Sequence, residues 1–249
     1  MKITNRNIQN TAIVGDVHSC SSLLADVIEQ SRQKGANHFV FVGDLLDRGP
    51  DPVETIEIVT KLYKRNEATI LMGNHDWKLI RLLDGVKGLH LSSDALITLD
   101  RLTEDSKKAF HVLFERREFA LVDHDHKVMV SHAPGLRPYK LLDRTKDGIN
   151  IPKKLAMTLL YGITDHDKKT SEGFPVRLPL TSNPYDDLNG WRLIHGHTHA
   201  GELHPEKGNP NVICVDFCAG QVDGRCAAYV FAEDTMDGTL VLSEKTTFD

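Results

Sequence analysis

The chain has little that would tie it to a membrane, a secretory route or a polyanion. Its 249 residues contain no apolar stretch long enough to span a bilayer. The N-terminus, Met1-Lys2-Ile3-Thr4-Asn5-Arg6-Asn7, lacks the apolar core of a secretory signal. Cysteine is sparse: Cys20, Cys214, Cys218 and Cys226, with no CxxC pair. A disulfide-built scaffold is therefore excluded, and reduced thiols in a cytoplasmic protein are the expectation. Cys214 and Cys218 read as packing residues rather than ligands. Basic charge is not in excess, since the formal net charge is -5. That argues against a broad nucleic-acid-binding surface but leaves room for an oligonucleotide end in a local pocket. Pro- or Gly-rich linkers, internal repeats and low-complexity segments are also missing, so residues 1–249 read as a single domain with a large core.

What the chain does have is one pattern used three times. Phe39-Val40-Phe41-Val42 runs into Gly43-Asp44-Leu45-Leu46-Asp47-Arg48-Gly49. Thr11-Ala12-Ile13-Val14 runs into Gly15-Asp16-Val17-His18, and Ala68-Thr69-Ile70-Leu71-Met72 into Gly73-Asn74-His75-Asp76. Each apolar run reads as a buried strand, with polar residues just past its C-terminal end. Carboxylates carried by a strand end are held rigidly, as a metal or phosphate site requires. Ordinary turns would account for Gly-Asp and Gly-Asn. They would not account for the histidine that follows the first and third.

Between these strands the chain reads as helix. One helix is expected from about Leu23 to Lys34, ended by Gly35, and another over Val53–Tyr63 after Pro50-Asp51-Pro52. A third covers Asp76 to Leu83. Residues 84–118 look helical with a break near Gly85–Gly88. There Leu96, Ile97, Leu99 and Leu102 form one expected core stripe, and Phe110, Leu113 and Phe114 another. A hairpin follows, Phe119–Val122 with Val128–Val130, whose turn histidines His124 and His126 read as solvated. Its second strand ends in Ser131-His132-Ala133. A short helix is expected over Lys153–Leu160. Trp191-Arg192-Leu193-Ile194 leads into His195-Gly196-His197-Thr198-His199, and strands follow at Val212–Asp216, Ala227–Phe231 and Leu240–Ser243. Helix and strand alternate early and strands dominate late, which predicts an α/β sandwich of mixed sheets with helices outside and ligands at the strand ends.

Collected, the candidate ligands are Asp16, His18, Asp44, Asn74, His132, His197 and His199. Oxygen and imidazole donors without thiolate suit Mn²⁺, Fe²⁺ or Zn²⁺ better than Ca²⁺. Seven donors exceed what one such ion takes and suit two ions about 3.5–4 Å apart, bridged by one carboxylate. Such a pair grips phosphate oxygens and lowers the pKa of a bridging water, whose hydroxide attacks phosphorus in line.

In order, Gly-Asp-Val-His, Gly-Asp-Leu-Leu-Asp-Arg-Gly, Gly-Asn-His-Asp, Ser-His-Ala and Gly-His-Thr-His resemble the calcineurin-like metallophosphoesterase superfamily. The Asp-Arg-Gly form resembles its phosphoprotein phosphatase branch. Leu160-Tyr161-Gly162 with Gly173-Phe174-Pro175-Val176-Arg177 resembles the phosphatase module of bacterial polynucleotide kinase-phosphatases and the PrpE- and ApaH-like diadenosine tetraphosphatases. The resemblance implies a four-layer α/β/β/α sandwich of two mixed sheets and two divalent ions, Mn²⁺ foremost, with Fe or Zn as options. It implies that Asp16 and His18 hold the first ion, that Asp44 bridges, and that Asn74, His132 and His197 hold the second. His199 would complete the first site, although the nearest branch often has proline there. Arg48, with Asn74, would bind the substrate phosphate, and His75, oriented by Asp47, would act as general acid at the leaving-group oxygen.

Three positions stay open. Asp216 is either a site residue or a strand-end turn residue. Arg177 is either a second phosphate clamp or a surface ion pair. Ser19 stands where the family usually has glycine, which puts the local turn shape in question. The function implied is hydrolysis of phosphomonoesters, on a phosphoprotein, a nucleotide or a polynucleotide end. The alternatives are a bis(5′-nucleosyl)-tetraphosphatase that cleaves a phosphoanhydride, or a non-catalytic metal-binding module.

Overall fold

Runs whose every residue is buried become the central strands: Thr11-Ala12-Ile13-Val14 and His38-Phe39-Val40-Phe41 have no exposed position. The computed structural model describes residues 1–135, 149–169, 175–177, 188–198, 210–232 and 237–246. In chain order its elements are β1 (Lys2–Asn5), β2 (Thr11–Val14), α1 (Ser21–Gln33), β3 (His38–Phe41), α2 (Pro52–Lys64), β4 (Ala68–Ile70), α3 (Asn74–Leu83), α4 (Ser93–Arg101) and α5 (Glu104–Leu113). Then come β5 (Glu118–Asp123), β6 (Val128–Ser131), β7 (Ile149–Asn150), α6 (Lys153–Tyr161), β8 (Thr164–Lys169), β9 (Pro175–Arg177), β10 (Arg192–His195), β11 (Val212–Cys214), β12 (Ala227–Phe231) and β13 (Thr239–Leu242).

Two mixed sheets result. One has the order β13-β12-β2-β3-β4, with β2, β3 and β4 parallel and β12 antiparallel to both its neighbours. The other has the order β11-β10-β6-β5-β1-β7, with β6, β10 and β11 parallel and β5 antiparallel to β6. Alternation along each strand decides what lies between the layers. Ile13, Val40, Leu121, Val130, Ile194, Ile213 and Phe231 point inward and join the sheets face to face. Their neighbours Ala12, Val14, Phe39 and Phe41 point outward, into a second core with Leu24 and Val27 of α1 and Ile56 and Val59 of α2. On the far side α6 packs over β5, burying Ala156, Leu159 and Leu160. Each large side chain fully buried in this way stabilises by roughly 1.5–3 kcal/mol relative to exposure. The layering is thus α/β/β/α.

The differences from the sequence reading are local. α3 begins at Asn74, two residues earlier than expected. The apolar stripe expected on residues 84–118 is wrong in part. Leu96 and Ile97 of α4 are 55% and 51% exposed, and its buried face is Ala95 and Thr98, followed by Leu102. Spacings of three and four residues mark the inward face, and Leu96 and Ile97 fall off it. The stripe at Phe110, Leu113 and Phe114 is buried as expected. His124 and His126 lie away from the two donor groups found among the described residues: His126 bonds the Asp123 carboxylate of its own turn at 2.7 Å, and His124 lies edge-on to Trp191, just before β10. The four cysteines form no disulfide. No helix among the described residues is long and apolar enough to cross a membrane.

Candidate metal centre

The C-terminal ends of β2, β3, β6 and β10 open on one side of the sandwich, and the motif residues follow them directly. Two groups of buried donors form there. The ligand atoms of Asp16, His18 and Asp44 lie within 4.8 Å of one another, as do those of Asp44, His132 and His197. Asp44 belongs to both groups, and all five side chains are buried.

In the second group the donor atoms converge on one ring nitrogen. His132 Nε2 lies 2.9 Å from Asn74 Oδ1, 3.0 Å from His197 Nδ1 and 3.5 Å from Asp44 Oδ2. A single ring nitrogen carries at most one hydrogen, which cannot serve three lone pairs, whereas a divalent cation among them can. In the first group His18 Nδ1 bonds the Leu46 carbonyl at 3.0 Å, which makes it the protonated nitrogen and turns the Nε2 lone pair to the site. Arg48 Nη1 approaches that Nε2 at 3.0 Å, so positive charge already faces it. The donor set therefore fits a pair of divalent cations.

The electrostatics point the same way. Asp16 is pushed well above the usual carboxylate range, first by burial and then by the charges of Asp216 and Asp44. Burial would raise Asp44 too, but the surrounding imidazoles, His132 foremost, hold its carboxyl down. Burial keeps His18 neutral, with its pKa lowered to about 4, and lowers that of His132. The imidazoles are thus neutral, as cations require, and the high pKa of Asp16 reflects crowded buried carboxyls that bound positive charge would ionise.

Backbone geometry holds these groups in place. His18, Ser19, Asp44, Asp47, Arg48 and His197 all have positive φ, between 48° and 75°. Such conformations cost of order 1–3 kcal/mol each and persist where the surroundings over-determine them. One restraint is Asp76, fully buried, whose carboxylate accepts the backbone N–H groups of Asp44 at 2.6 Å, Leu45 at 3.1 Å and Gly73 at 3.3 Å. Gly43 and Gly73 allow those loops to touch: a Cβ on Gly43 would meet Gly73 N at 2.3 Å, and one on Gly73 would meet Asp44 Oδ1 at 2.2 Å. Asp16 in turn accepts His197 N, 3.2 Å from each oxygen, and so joins the two sheets across the site.

His75 sits at the rim. Its Nδ1 donates to Asp47 Oδ2 at 2.6 Å, and its Nε2 faces Asp44 Oδ2 at 3.9 Å. Burial disfavours its charged form, but Asp44 and the Asp47 hydrogen bond outweigh that and raise its pKa. Arg48 is exposed at the mouth.

Of the sequence candidates, Asp16, His18, Asp44, Asp47, Arg48, Asn74, His75, His132 and His197 come together here. Asp216 is buried beside Asp16 and also closes a turn by accepting Cys218 N at 2.9 Å, so both of its readings describe the same place. His199 and the Arg177 side chain lie outside the described residues; the Arg177 backbone pairs with Thr164 in β9. Asp76 was missed as a functional residue. The available signal was its place three residues after Gly73, where an acidic side chain reaches back to a helix's first backbone N–H.

Ser19 resolves the question raised by its motif. It adopts φ 57°, the region where glycine is favoured, and its hydroxyl is buried without a hydrogen-bond partner. Replacing Ser19 with glycine relieves about 1–2 kcal/mol of backbone strain and an unpaired hydroxyl costing about 1–3 kcal/mol. The added freedom of the unfolded chain offsets roughly 0.5–1 kcal/mol. Ser19→Gly is expected to raise the Tm by at least about 2–4 °C in differential scanning calorimetry, the shift that the low end of this sum, about 1 kcal/mol, gives; an unchanged or lower Tm would refute this account.

Comparison with known proteins agrees with the geometry. Residues 10–201 match the calcineurin-like phosphoesterase family model. The chain is 30% identical over 220 residues to a Bacillus subtilis protein named bis(5′-nucleosyl)-tetraphosphatase PrpE [asymmetrical], covering 80% of this chain and 82% of that one. Among solved structures, one described as a possible diadenosine tetraphosphatase superposes with a TM-score of 0.66 at 23% identity over 99% of both chains. A Saccharomyces cerevisiae serine/threonine phosphatase with similarity to human PP5 superposes with a TM-score of 0.54 at 16% identity, over 99% of this chain and 84% of that one. With two mixed sheets, paired donor clusters and a family match over most of its length, the chain belongs to the calcineurin-like phosphoesterases, dinuclear-metal hydrolases of phosphoesters.

Proposed function

We propose that this single-domain hydrolase removes phosphoryl groups from phosphomonoesters whose leaving group needs a proton. The observation that carries this reading is the His75–Asp47 pair. Its 2.6 Å hydrogen bond and the raised pKa of His75 keep an acid beside the donor clusters. A leaving alkoxide needs that proton, and a leaving phosphate does not.

Asp16, His18 and Asp44 would hold one cation, and Asp44, Asn74, His132 and His197 the other, with Mn²⁺ the ion best matched to the mixed donors. Bound there, two cations supply Lewis acidity and an activated water. The chain's own residues do the rest. Arg48 clamps the equatorial phosphoryl oxygens, as a planar guanidinium does well. Asn74 adds a polar contact to the phosphate. Asp47 fixes the tautomer and direction of His75, which hands its proton to the departing oxygen. Buried walls keep bulk water away from these charges.

A second reading has its own support. The Bacillus subtilis relative, of which this chain covers 82%, is named as a tetraphosphatase. In that reading the substrate is a dinucleoside tetraphosphate and the bond broken is an anhydride. One panel separates the two. Purified protein with Mn²⁺ is incubated with p-nitrophenyl phosphate, an alkyl phosphomonoester, a phosphopeptide, a 3′-phosphorylated oligonucleotide and diadenosine tetraphosphate. Turnover of the alkyl monoester above that of the tetraphosphate supports the first reading. The reverse order, with ATP and AMP as products, replaces it with the second.

A further inference from the structure

The two donor clusters are supported by different parts of the fold. Asp16, His18 and Asp44 follow β2 and β3 of one sheet, whereas His132 and His197 follow β6 and β10 of the other. Outside that second sheet lies α6, and its last turn reaches both of those histidines. Ala133 N, next to His132, donates to Leu159 O at 2.8 Å. Gly135 packs onto Thr158 so closely that a Cβ there would lie 2.5 Å from the Thr158 carbonyl oxygen. Half-buried Tyr161, the last residue of the helix, places its ring edge-on to His197, with centroids 6.4 Å apart and planes at 81°. Gly162 then turns away with φ 77° and comes close to the Pro134 carbonyl.

We infer that Tyr161 is a positioning residue for the second cation site: the last turn of α6 holds the His132 loop through its backbone while the Tyr161 ring fixes the plane of His197. This rests on the reading of His132 and His197 as ligands. The two imidazoles meet at 3.0 Å with ring planes at 62°, an arrangement that free rotation of the His197 ring would lose. An imidazole whose plane is fixed by a neighbour gives up less freedom when it binds a cation, and partners behind the ligands tune metal affinity for that reason. The first cluster has different supports, among them the Leu46 carbonyl at His18 and His197 N at Asp16. Loss of the Tyr161 ring is therefore expected to weaken one cation site and spare the other.

Calorimetric titration of the metal-free full chain with Mn²⁺ alone tests this. The wild type is expected to show two affinities. Tyr161→Ala is expected to weaken one of them by about three- to tenfold, the range an edge-on aromatic pair corresponds to. Tyr161→Phe keeps the ring and is expected to retain both, and Tyr161→Leu replaces Tyr161→Ala if the latter fails to fold. Combined with His18→Ala, which damages the first site, the Tyr161 change still lowers the affinity that remains. Leu155→Ala, in the first turn of α6, is the structural control and is expected to lower the Tm with both affinities unchanged. Equal weakening of both sites, no weakening, or the same loss in Leu155→Ala overturns the inference. A wild type that binds no pair of ions would instead sink the metal-centre reading itself, so the two failures are told apart.

Discussion

Asp44→Asn is expected to lower kcat/KM at least about a thousandfold, which corresponds to the several kcal/mol that a correctly held cation contributes. Among the described residues it is the only one shared by the two donor groups, so its loss damages both. Asparagine keeps the shape and one carbonyl oxygen, which can still accept His75 N in place of Asp44 Oδ1, now at 2.9 Å. The backbone N–H of residue 44 stays bound to Asp76, so the loop should remain in place. A fold defect is thereby separated from a binding defect. Metal-free variant and wild type are expected to melt within a few degrees of each other. Excess Mn²⁺ raises the Tm of the wild type, because a ligand at about a hundred times its Kd stabilises by roughly 2.7 kcal/mol. In the variant most of that rise should vanish, and metal analysis should find fewer than two ions per chain. Near-normal turnover in Asp44→Asn would mean that the shared carboxylate does no bridging.

The parts of this fold that the sequence made legible are those where one physical demand acts alone. A strand buried on both faces must be apolar throughout, so Ala12–Val14 and Phe39–Phe41 could be read directly. A ligand cradle must interrupt such strands with glycine and donors at once, which is why the three repeated strand ends stood out. Reading fails where demands compete. Lys2-Ile3-Thr4-Asn5 is short and mostly polar, yet it becomes β1 because β5 and β7 flank it, a tertiary gain that no local pattern announces. Leu96 and Ile97 fit an amphipathic pattern but lie on the wrong arc of α4. Asp76 stands in the Gly-Asn-His-Asp motif and at a helix start, but its role escapes the sequence because its three backbone partners come from two separate loops and only the fold brings them together. Tyr161 was visible as part of a motif, but its contact with His197 joins positions 36 residues apart in sequence.

His75→Ala should separate substrates by leaving group. For an alkyl phosphomonoester the expected loss in kcat is about 10²–10⁴-fold, the usual range for removing a general acid. For p-nitrophenyl phosphate, or for the anhydride of diadenosine tetraphosphate, the leaving group carries its own charge well, and the expected loss is under about tenfold. The pH profile gives a second handle on the same residue. Asp44 and Asp47 raise the pKa of His75 in the metal-free chain; with cations on Asp44, the Asp47 hydrogen bond remains to favour the acid form. Activity on the alkyl ester is present below that pKa and falls as pH rises through it. Asp47→Asn removes a negative charge and weakens the 2.6 Å hydrogen bond, which an amide oxygen accepts less strongly, so the His75 pKa drops and the alkaline limb moves to lower pH. The limb for p-nitrophenyl phosphate should move little, since that reaction draws on the proton least. If His75→Ala reduces all substrates equally, the residue holds the site together rather than protonating the leaving group, and the preference for poor leaving groups must have another source.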